Sequence, residues 1–522
     1  MTFFTKYAKH ERILFLLLII ANFSFLFIHH FFVTLDGPAH HYNANIISSL
    51  LFSGDSVFSK YFELNKEFLP NSFSYVLLII LRYISPFFIA EKLLLIVHFV
   101  ITPLFFRRVV MHFNGNAGVL TWIIFPFTHF SLLYMGFFNF CIGVAAFFVC
   151  MDLYLKLGEM SVKRSLMFLL MAGILYFSHI FCFLVFVMFV GLNLFIEMIS
   201  ETGHGKLSFS KWMKLKLFSI ILPLLPFLLM SAFFFLKRPT DLTASYLTTK
   251  EVSWFFTNLG PLQAYGIEEN FYCKSIFILI SILVLMCLWE KAGSFIGKEK
   301  PLLSKFFSKH HVFLGMFFIL VILSYVMPNE DGNGGYITVR MVLFSYFFLL
   351  LFIASSITTN IKTIIIVCFL MVAHVILLLK REPVQKKLNE YALELNEAAQ
   401  FVEPGKIVVP VMDYGKTWQA KHFSNYLAAM KDVVVMENYE AETRYFPIVW
   451  KEEMLPIVVA GKTGICGECT NWKSGKVSKE KVIADYIVVF DEGGKTKCLS
   501  EFTNDFYRVI YKKDALVLLQ LK

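Results

Sequence analysis

The stretch Thr34-Leu35-Asp36-Gly37-Pro38-Ala39-His40-His41 directly follows an apolar run, Ile13 to Val33, that is long enough to cross a bilayer as a helix. Asp36 is therefore expected just beyond the membrane, at the start of a polar loop. Gly37 and Pro38 predict the end of the helix and a tight, fixed turn. A carboxylate closely followed by two imidazoles is suited to binding one substrate or metal ion. Asp-Gly-Pro is also ordinary turn chemistry, so the local motif leaves both interpretations open.

The composition around this stretch is that of a membrane protein. Of the 522 residues, 57% are hydrophobic and 16% are charged, and Phe alone occurs 61 times, which is far from the soluble average. Apolar runs of spanning length recur as far as Leu379, and the composition beyond that point is typical of a soluble domain. The sequence therefore predicts a polytopic transmembrane domain over residues 1–380 and a soluble domain over residues 381–522.

The charges set the expected topology. The net charge is +10, but Lys and Arg collect in short loops between apolar segments, where the positive-inside rule places them, so we expect no nucleic-acid partner. Lys6, Lys9 and Arg12 predict a cytoplasmic N-terminus followed by an uncleaved anchor. Counting passes from there gives about eleven crossings of the cytoplasmic (inner) membrane, with the C-terminal domain extracytoplasmic. We interpret residues 73–86 as an interfacial or re-entrant helix.

The remaining crossings follow the apolar runs. Residues 165–200 begin and end beside basic residues, so they predict a hairpin whose outer turn lies near His179. The other predicted crossings are residues 88–106, 118–134, 137–155, 215–236, 275–290, 311–327, 340–356 and 361–379.

Beyond the last crossing, residues 383–400 predict a polar helix with apolar positions at Leu388, Tyr391, Ala392 and Leu395. Short β-branched runs alternate with helical stretches after it, which indicates a small α/β domain. Strands are predicted at 407–411, 433–436, 457–460 and 486–490, helices at 424–430 and 479–484, and a closing hairpin at 507–511 and 515–521. The nine cysteines indicate no disulfide framework, and the isolated pair Cys466 and Cys469 leaves zinc or a local disulfide open.

Arg340 is a candidate for binding phosphate. It lies near the predicted outer end of a crossing, and a guanidinium group binds phosphate through two hydrogen bonds. The alternative is that its side chain extends to the lipid headgroups.

Other polar residues are expected on the same outer face. Glu330 and Asp331 lie in an acidic loop and could supply a second acid or bind a cation, although solvated turn residues have the same pattern. His179 is a polar residue at an apolar turn, which also fits a histidine bonded to the backbone. Together with His40 and His41, these residues are the expected lining of a substrate cavity.

Taken together, these features resemble the GT-C superfamily of integral-membrane glycosyltransferases. The resemblance rests on Asp36 in the first outer loop, on Pro70-Asn71-Ser72-Phe73 leading into an amphipathic helix, on Arg340, and on a C-terminal globular domain. The layout is similar to that of protein O-mannosyltransferases and aminoarabinose transferases, which use polyprenyl-linked sugars. It implies a GT-C-like α-helical polytopic fold with a small C-terminal α/β extracytoplasmic domain.

The resemblance also implies an activity: inverting transfer of a sugar from a polyprenyl-phosphate donor to a glycan, lipid or protein acceptor at the outer membrane face. Asp36 would be the catalytic base or would position the acceptor, and Arg340 would bind the donor phosphate. Several families carry paired Asp-Glu where this loop has Asp-Gly-Pro. A divalent metal therefore stays open, with Asp36 and His40 as ligands if one is bound. The alternatives are a polysaccharide or lipid transporter and a non-catalytic scaffold for envelope assembly.

Overall fold

A computed structural model describes residues 3–54, 56–67, 69–156, 162–203, 220–237, 244–295, 310–331, 334–415, 417–443, 445–451, 484–492 and 507–522. The α-helices among them are Phe3–Ser24, Gly37–Phe52, Val57–Tyr61, Phe73–Ile84, Phe87–Met111, Ser131–Tyr134, Phe138–Lys156, Val162–Ser178, Ile180–Gly203, Leu222–Leu236, Thr249–Thr257, Asn270–Phe295, His311–Val326, Ile337–Ser356, Ile361–Ala398, Tyr426–Met430 and Tyr439–Glu442. The 3-10 helices are Phe25–Phe27, Gly118–Thr128, Gly260–Leu262, Ile267–Glu269, Ala399–Phe401, Trp418–Ala420 and Phe423–Asn425.

Seven helical segments within these residues are long and apolar enough to cross a membrane. They are Lys9–Phe27, Phe87–Met111, Phe138–Lys156, Ile180–Ile199, Ile267–Lys291, Ile337–Ser356 and Ile361–Phe401. Leu14 and Leu17 on the first of them are about half exposed, as expected for side chains that face lipid. The predicted class, an α-helical polytopic membrane protein, is confirmed, whereas the number of eleven crossings stays a prediction.

The chain divides into two compact units. The helical unit consists of Met1–Phe25, Leu95–Leu132 and Asn139–Arg381. The sheet unit consists of Leu26–Leu94, Leu133–Phe138 and Glu382–Lys522. The C-terminal part of the chain therefore shares a unit with the first loop.

The segment before Asp36 differs from the prediction. The first helix ends at Ser24, a single 3-10 turn follows, and the apolar residues up to Val33 are not helical. In the sheet unit, Asn389 Oδ1 accepts a hydrogen bond from the Phe31 backbone N–H at 2.8 Å, and Gln385 bonds both backbone groups of Val33. These side chains replace the hydrogen bonds that a helix would have supplied.

The prediction that Gly37 and Pro38 end a helix is wrong, because they begin one. Gly37–Phe52 is helical, with Asp36 at the N-cap and proline in the first turn. Proline is tolerated there because the first N–H groups of a helix have no partner within the helix.

Two other boundaries are corrected. Residues 118–134 form the 3-10 helix Gly118–Thr128 and the short helix Ser131–Tyr134 instead of one α-helix, and Pro126 within them cannot donate an α-helical hydrogen bond. The polar helix predicted at 383–400 is not separate, since Ile361–Ala398 runs through Pro383. Its predicted apolar positions are nevertheless buried.

The predicted hairpin is confirmed as two helices that meet at His179.

The sheet unit contains seven strands within the described residues. They are β1 (Phe62–Leu64), β2 (Ile407–Asp413), β3 (Val434–Val435), β4 (Ile448–Trp450), β5 (Tyr486–Asp491), β6 (Tyr507–Lys513) and β7 (Leu516–Leu521). Five of them form a mixed sheet of order β3-β2-β5-β7-β6, in which β2 is parallel to β3 and β5, and the β6–β7 hairpin is antiparallel. The central residues of β2 and β5 are buried, as expected for strands covered on both faces. The predicted small α/β sheet in the C-terminal part is confirmed.

Strand β1 of the first loop pairs with β4 of the C-terminal part. Phe62 stacks on Trp450 with ring centroids 4.0 Å apart, and Tyr42 packs against Phe62 within the same core. The predicted strand at 457–460, most of the predicted helix at 479–484, and Cys466 and Cys469 lie outside the described residues.

Candidate active site

The backbone around Asp36 is held by the segment Leu133–Phe138. The N–H groups of Leu35 and Asp36 donate to the carbonyls of Tyr134 and Met135, each at 3.1 Å. Gly136 follows with a φ of +79°, and a Cβ atom there would lie 2.7 Å from the Gly37 nitrogen and 2.9 Å from the Asp36 nitrogen. A glycine is therefore needed at this position, both for the positive φ angle and because the Leu133–Phe138 segment passes so close to the backbone of Asp36 and Gly37.

Asp36 is 8% exposed and is the N-cap residue of the helix Gly37–Phe52, but its side chain makes no capping hydrogen bond. Its Oδ1 lies 3.8 Å from His422 Nε2. The Tyr439 hydroxyl donates to Glu440 Oε1 at 3.3 Å and also interacts with the Asp36 carboxylate. Burial raises the pKa of Asp36 to about 6, while the neighbouring imidazoles of His422 and His40 oppose this rise. A buried carboxyl group with a pKa near neutrality can take and release a proton under physiological conditions.

His40, one turn after Asp36, belongs to a hydrogen-bonded chain that ends on Glu440. His40 Nδ1 lies 2.7 Å from the Tyr75 hydroxyl, which donates to Glu440 Oε2 at 2.6 Å. Asn43 also donates to Glu440. Burial lowers the pKa of His40, but Glu440, Asp36 and the Gly136 backbone raise it, and the net shift is upward. The carboxylates of Glu440 and Asp36 thus favour the protonated form of the His40 imidazole.

His422 is held on its other side by a second carboxylate. Its Nδ1 donates to Glu437 Oε1 at 2.6 Å, and Asn425 donates to Glu437 Oε2 at 3.0 Å. The His422 ring also packs on Tyr439, with centroids 4.5 Å apart. Burial lowers the pKa of His422, and the Glu437 and Asp36 carboxylates raise it, so the net shift is upward.

His41 is buried in the sheet unit, but its nearest charged groups differ from those of Asp36. Its Nε2 lies 3.4 Å from Glu91 Oε2, and its Nδ1 lies 3.5 Å from Arg82 Nη1. Burial and the Arg82 cation hold the pKa of His41 well below its ordinary value. That His41 lines a substrate cavity stays a prediction.

Arg340 and His179 form a separate group in the helical unit. Arg340 is partly buried in the first turn of Ile337–Ser356, with its guanidinium 5.7 Å from the centroid of Phe140. The His179 ring lies 5.1 Å from the same ring. Asp331 is close enough to Arg340 for an electrostatic interaction, and its Oδ1 also accepts the Gly334 N–H at 2.8 Å.

Glu330 lies in the same unit, but the structure assigns it a backbone role. Its carbonyl accepts a hydrogen bond from the Ser245 N–H at 2.9 Å, and its side chain is exposed. The structure therefore brings Asp36 and His40 together in one unit, and Arg340, His179 and Asp331 in the other. The functional roles predicted for these residues remain predictions.

Metal binding was the other expectation for Asp36 and His40. Among the residues that the structure describes, no group of three or more His, Cys, Asp or Glu side chains is placed to hold a metal ion. His40 Nδ1 is also engaged by Tyr75 and Glu440. A divalent metal bound by Asp36 and His40 therefore stays a prediction.

Sequence reasoning missed several residues around Asp36 and His40, among them Tyr75, His422, Glu437 and Glu440. A signal was present for two of them. Glu437 and Glu440 come directly after β3, at the carboxyl end of a parallel strand pair, where ligands commonly bind in open α/β sheets. His422 and Tyr75 carried no such signal.

No family model matches the chain, and no curated protein sequence matches it. Among solved structures, it is similar to the crystal structure of ArnT from Cupriavidus metallidurans bound to undecaprenyl phosphate. The sequences are 11% identical, the alignment covers 97% of each chain, and the TM-score is 0.35. At this TM-score the likeness supports no conclusion about the chain.

Proposed function

We propose that this chain is a membrane glycosyltransferase that moves a sugar from a polyprenyl-phosphate donor to a hydroxyl group of a glycan, lipid or protein acceptor. One observation carries the proposal: Asp36 is a buried carboxylate between two imidazoles, and its pKa is about 6. This is the environment expected of a general base, and the described part of the chain includes seven helices suited to crossing a membrane. The GT-C resemblance of the first loop agrees with this assignment.

In the proposed reaction, Asp36 accepts the proton of the acceptor hydroxyl as its oxygen attacks the anomeric carbon. The bond between that carbon and the phosphate oxygen breaks, and polyprenyl phosphate leaves with the electron pair. Attack from the face opposite the leaving group inverts the anomeric configuration. A base with a pKa of about 6 is ionised in most molecules at pH 7, yet it is more basic than an ordinary aspartate.

We propose Arg340 as the residue that binds the donor phosphate. Its guanidinium lies in the first turn of a spanning helix, and it packs against Phe140 beside His179. Bidentate hydrogen bonding and the positive end of the helix dipole both favour a phosphate at such a position. His41, His179, Glu330 and Asp331 stay candidates for contacts with substrate.

The charge distribution supports a place in the cytoplasmic membrane, with the N-terminus cytoplasmic and the C-terminal part extracytoplasmic. Donors linked to a polyprenyl lipid suit this location, because nucleotide sugars are confined to the cytoplasm. Reaction at the outer membrane face is part of the proposal.

The test is transfer of radiolabelled sugar from a panel of polyprenyl-phosphate sugars to envelope fractions by the purified full chain. Transfer by the wild type, its loss in Asp36→Asn and its retention in Asp432→Asn would support the proposal, since Asp432 is an exposed aspartate of the same unit. Adding a chelator to the same assay tests for a divalent metal. If no donor is used while Asp36→Asn still rescues an envelope phenotype, the scaffold alternative replaces the enzyme. Movement of labelled lipid across proteoliposomes without transfer would indicate a transporter.

A further inference from the structure

His422 lies in the C-terminal part of the chain, yet its imidazole faces the first loop of the same unit. Its Nε2 is 3.8 Å from Asp36 Oδ1, and its Nδ1 is 2.6 Å from Glu437 Oε1. The residue is 5% exposed. The imidazole therefore bridges two carboxylates that come from distant parts of the sequence.

Glu437 determines which atom of His422 faces Asp36. Both Glu437 oxygens lie next to donors, Oε1 next to the imidazole and Oε2 next to the Asn425 amide at 3.0 Å. A carboxylate only accepts hydrogen bonds, so the contacting His422 Nδ1 carries a hydrogen. The ring orientation is thereby fixed, and Nε2 is the atom presented to Asp36.

The surroundings of His422 limit other orientations. Tyr439 covers one ring face, with centroids 4.5 Å apart, and the Tyr439 hydroxyl reaches the Asp36 carboxylate. Lys421, the preceding residue, interacts electrostatically with the imidazole. Turning the ring would separate Nδ1 from Glu437 and leave that buried carboxylate oxygen without its donor, which is costly.

We propose that His422, oriented by Glu437, is a positioning residue that holds the Asp36 carboxylate in its reactive orientation, so that the C-terminal part of the chain completes the catalytic apparatus. The inference rests on the proposed function. A contact of 3.8 Å is long for a hydrogen bond, but catalytic contacts often shorten once substrate is bound. His422 need not touch substrate for this role.

Two substitutions of His422 separate a positioning role from a structural one, because the amide of each replaces only one of the two ring nitrogens. The amide of His422→Asn can replace Nδ1 and keep the bond to Glu437, but it has nothing in place of Nε2. The amide of His422→Gln reaches the position of Nε2 and can still contact Asp36. A structural role predicts that Asn is the better replacement, and a positioning role predicts that Gln is.

The experiment measures kcat, KM for a polyprenyl-phosphate sugar, and thermal unfolding of the purified full-length variants. We expect His422→Asn to lower kcat about tenfold or more with KM changed less than about twofold, and His422→Gln to keep at least about threefold more kcat than Asn. Glu437→Gln should lower kcat in the same way, because an amide at 437 no longer specifies the imidazole tautomer.

His29→Asn is the matched control. His29 Nε2 lies 3.0 Å from Glu382 Oε1 in the same unit, but it has no part in the proposed site, so its kcat should not change. Wild-type kcat in His422→Asn, or equal losses of kcat in the Asn and Gln variants, would overturn the positioning role. If the wild type transfers sugar and only Asp36→Asn abolishes transfer, the proposed function survives and this inference fails. If the wild type uses no donor, both fail.

Discussion

Asp36 in the sheet unit and Asp152 in the helical unit are both buried aspartates, but their partners differ. Asp152 is fully buried, and three cationic or titratable side chains converge on it: Lys156 at 2.6 Å, Arg108 at 2.8 Å and His112 at 2.9 Å. The nearest imidazole to Asp36 is that of His422 at 3.8 Å, His40 and the Tyr439 hydroxyl also favour its ionised form, and the Glu440 carboxylate opposes its ionisation.

The comparison shows that burial alone does not mark a reactive carboxylate. The three partners of Asp152 contact its carboxylate at 2.9 Å or less and join the ends of two helices through it. Asp36 is short of such partners, so the free energies of its ionised and protonated forms are close at neutral pH. A group in that balance is well suited to exchange a proton during a reaction.

The largest effect should come from exchanging each aspartate for asparagine. We expect Asp36→Asn to lower transfer about 10³-fold, because the general base is lost. Its stability should change little, since the Asp36 side chain makes no capping hydrogen bond that the substitution would remove. Asp152→Asn should keep kcat within about threefold but lower the free energy of unfolding by about 1–3 kcal/mol. This is less than the usual cost of breaking a buried ion pair, because Lys156 and Arg108 are exposed to solvent. Steady-state kinetics and thermal unfolding in detergent measure both. Loss of turnover in both variants would contradict the distinction between a reactive Asp36 and a structural Asp152.

A second test changes the backbone support of Asp36. Gly136 and Gly405 have nearly the same φ, +79° and +78°, but a Cβ atom at Gly136 meets the Gly37 nitrogen at 2.7 Å, whereas one at Gly405 meets nothing within 4 Å. We expect Gly405→Ala to cost about 1 kcal/mol of unfolding free energy from backbone strain. Gly136→Ala should cost about 3 kcal/mol, because a steric clash adds to the same strain. Chemical denaturation measures the difference, and equal costs would show that the Leu133–Phe138 segment does not restrain Asp36.

The pH dependence of transfer tests the state of Asp36 directly. Its pKa is raised from 3.8 to about 6, chiefly by burial. A base must be ionised to accept a proton, so activity should be present above this pKa and should fall about tenfold per pH unit below it. The measurement is kcat/KM between about pH 4.5 and pH 8. This range includes the fall in activity on the acid side of the pH profile, which is expected at about pH 6. A limb near pH 4 would mean that Asp36 is solvated or is not the base.

The sequence predicts those parts of the fold that depend on local pattern. The apolar helices, the hairpin that turns at His179 and the strands of the C-terminal sheet all follow from composition and periodicity. The non-helical path of residues 28–35 does not, because the groups that satisfy it, Gln385 and Asn389, are more than 300 positions away. An apolar run in isolation gives no sign that distant side chains will take its backbone hydrogen bonds.

The candidate site was predictable to a similar extent. Asp36 and His40 are visible because they are polar residues at the edge of an apolar segment. His422 and Glu440 are distant in sequence, and they look like ordinary surface residues until the sheet unit brings them to the first loop. Tertiary structure decides their burial, and burial gives them their chemistry.

The smallest expected effect concerns Tyr439, whose hydroxyl donates to Glu440 Oε1 at 3.3 Å and also bonds to the Asp36 carboxylate, where it lowers the pKa of Asp36. Removing that bond in Tyr439→Phe should raise the Asp36 pKa and move the acid limb of transfer up by about half a pH unit. Activity near pH 6 should then fall about twofold, while activity near pH 8 should not change, because Asp36 is ionised there in both proteins. Tyr511→Phe is the control, since the Tyr511 hydroxyl bonds to the exposed Glu397 at 3.1 Å. A uniform loss at every pH would instead mean that Tyr439 acts through packing against His422 and not through the charge of Asp36.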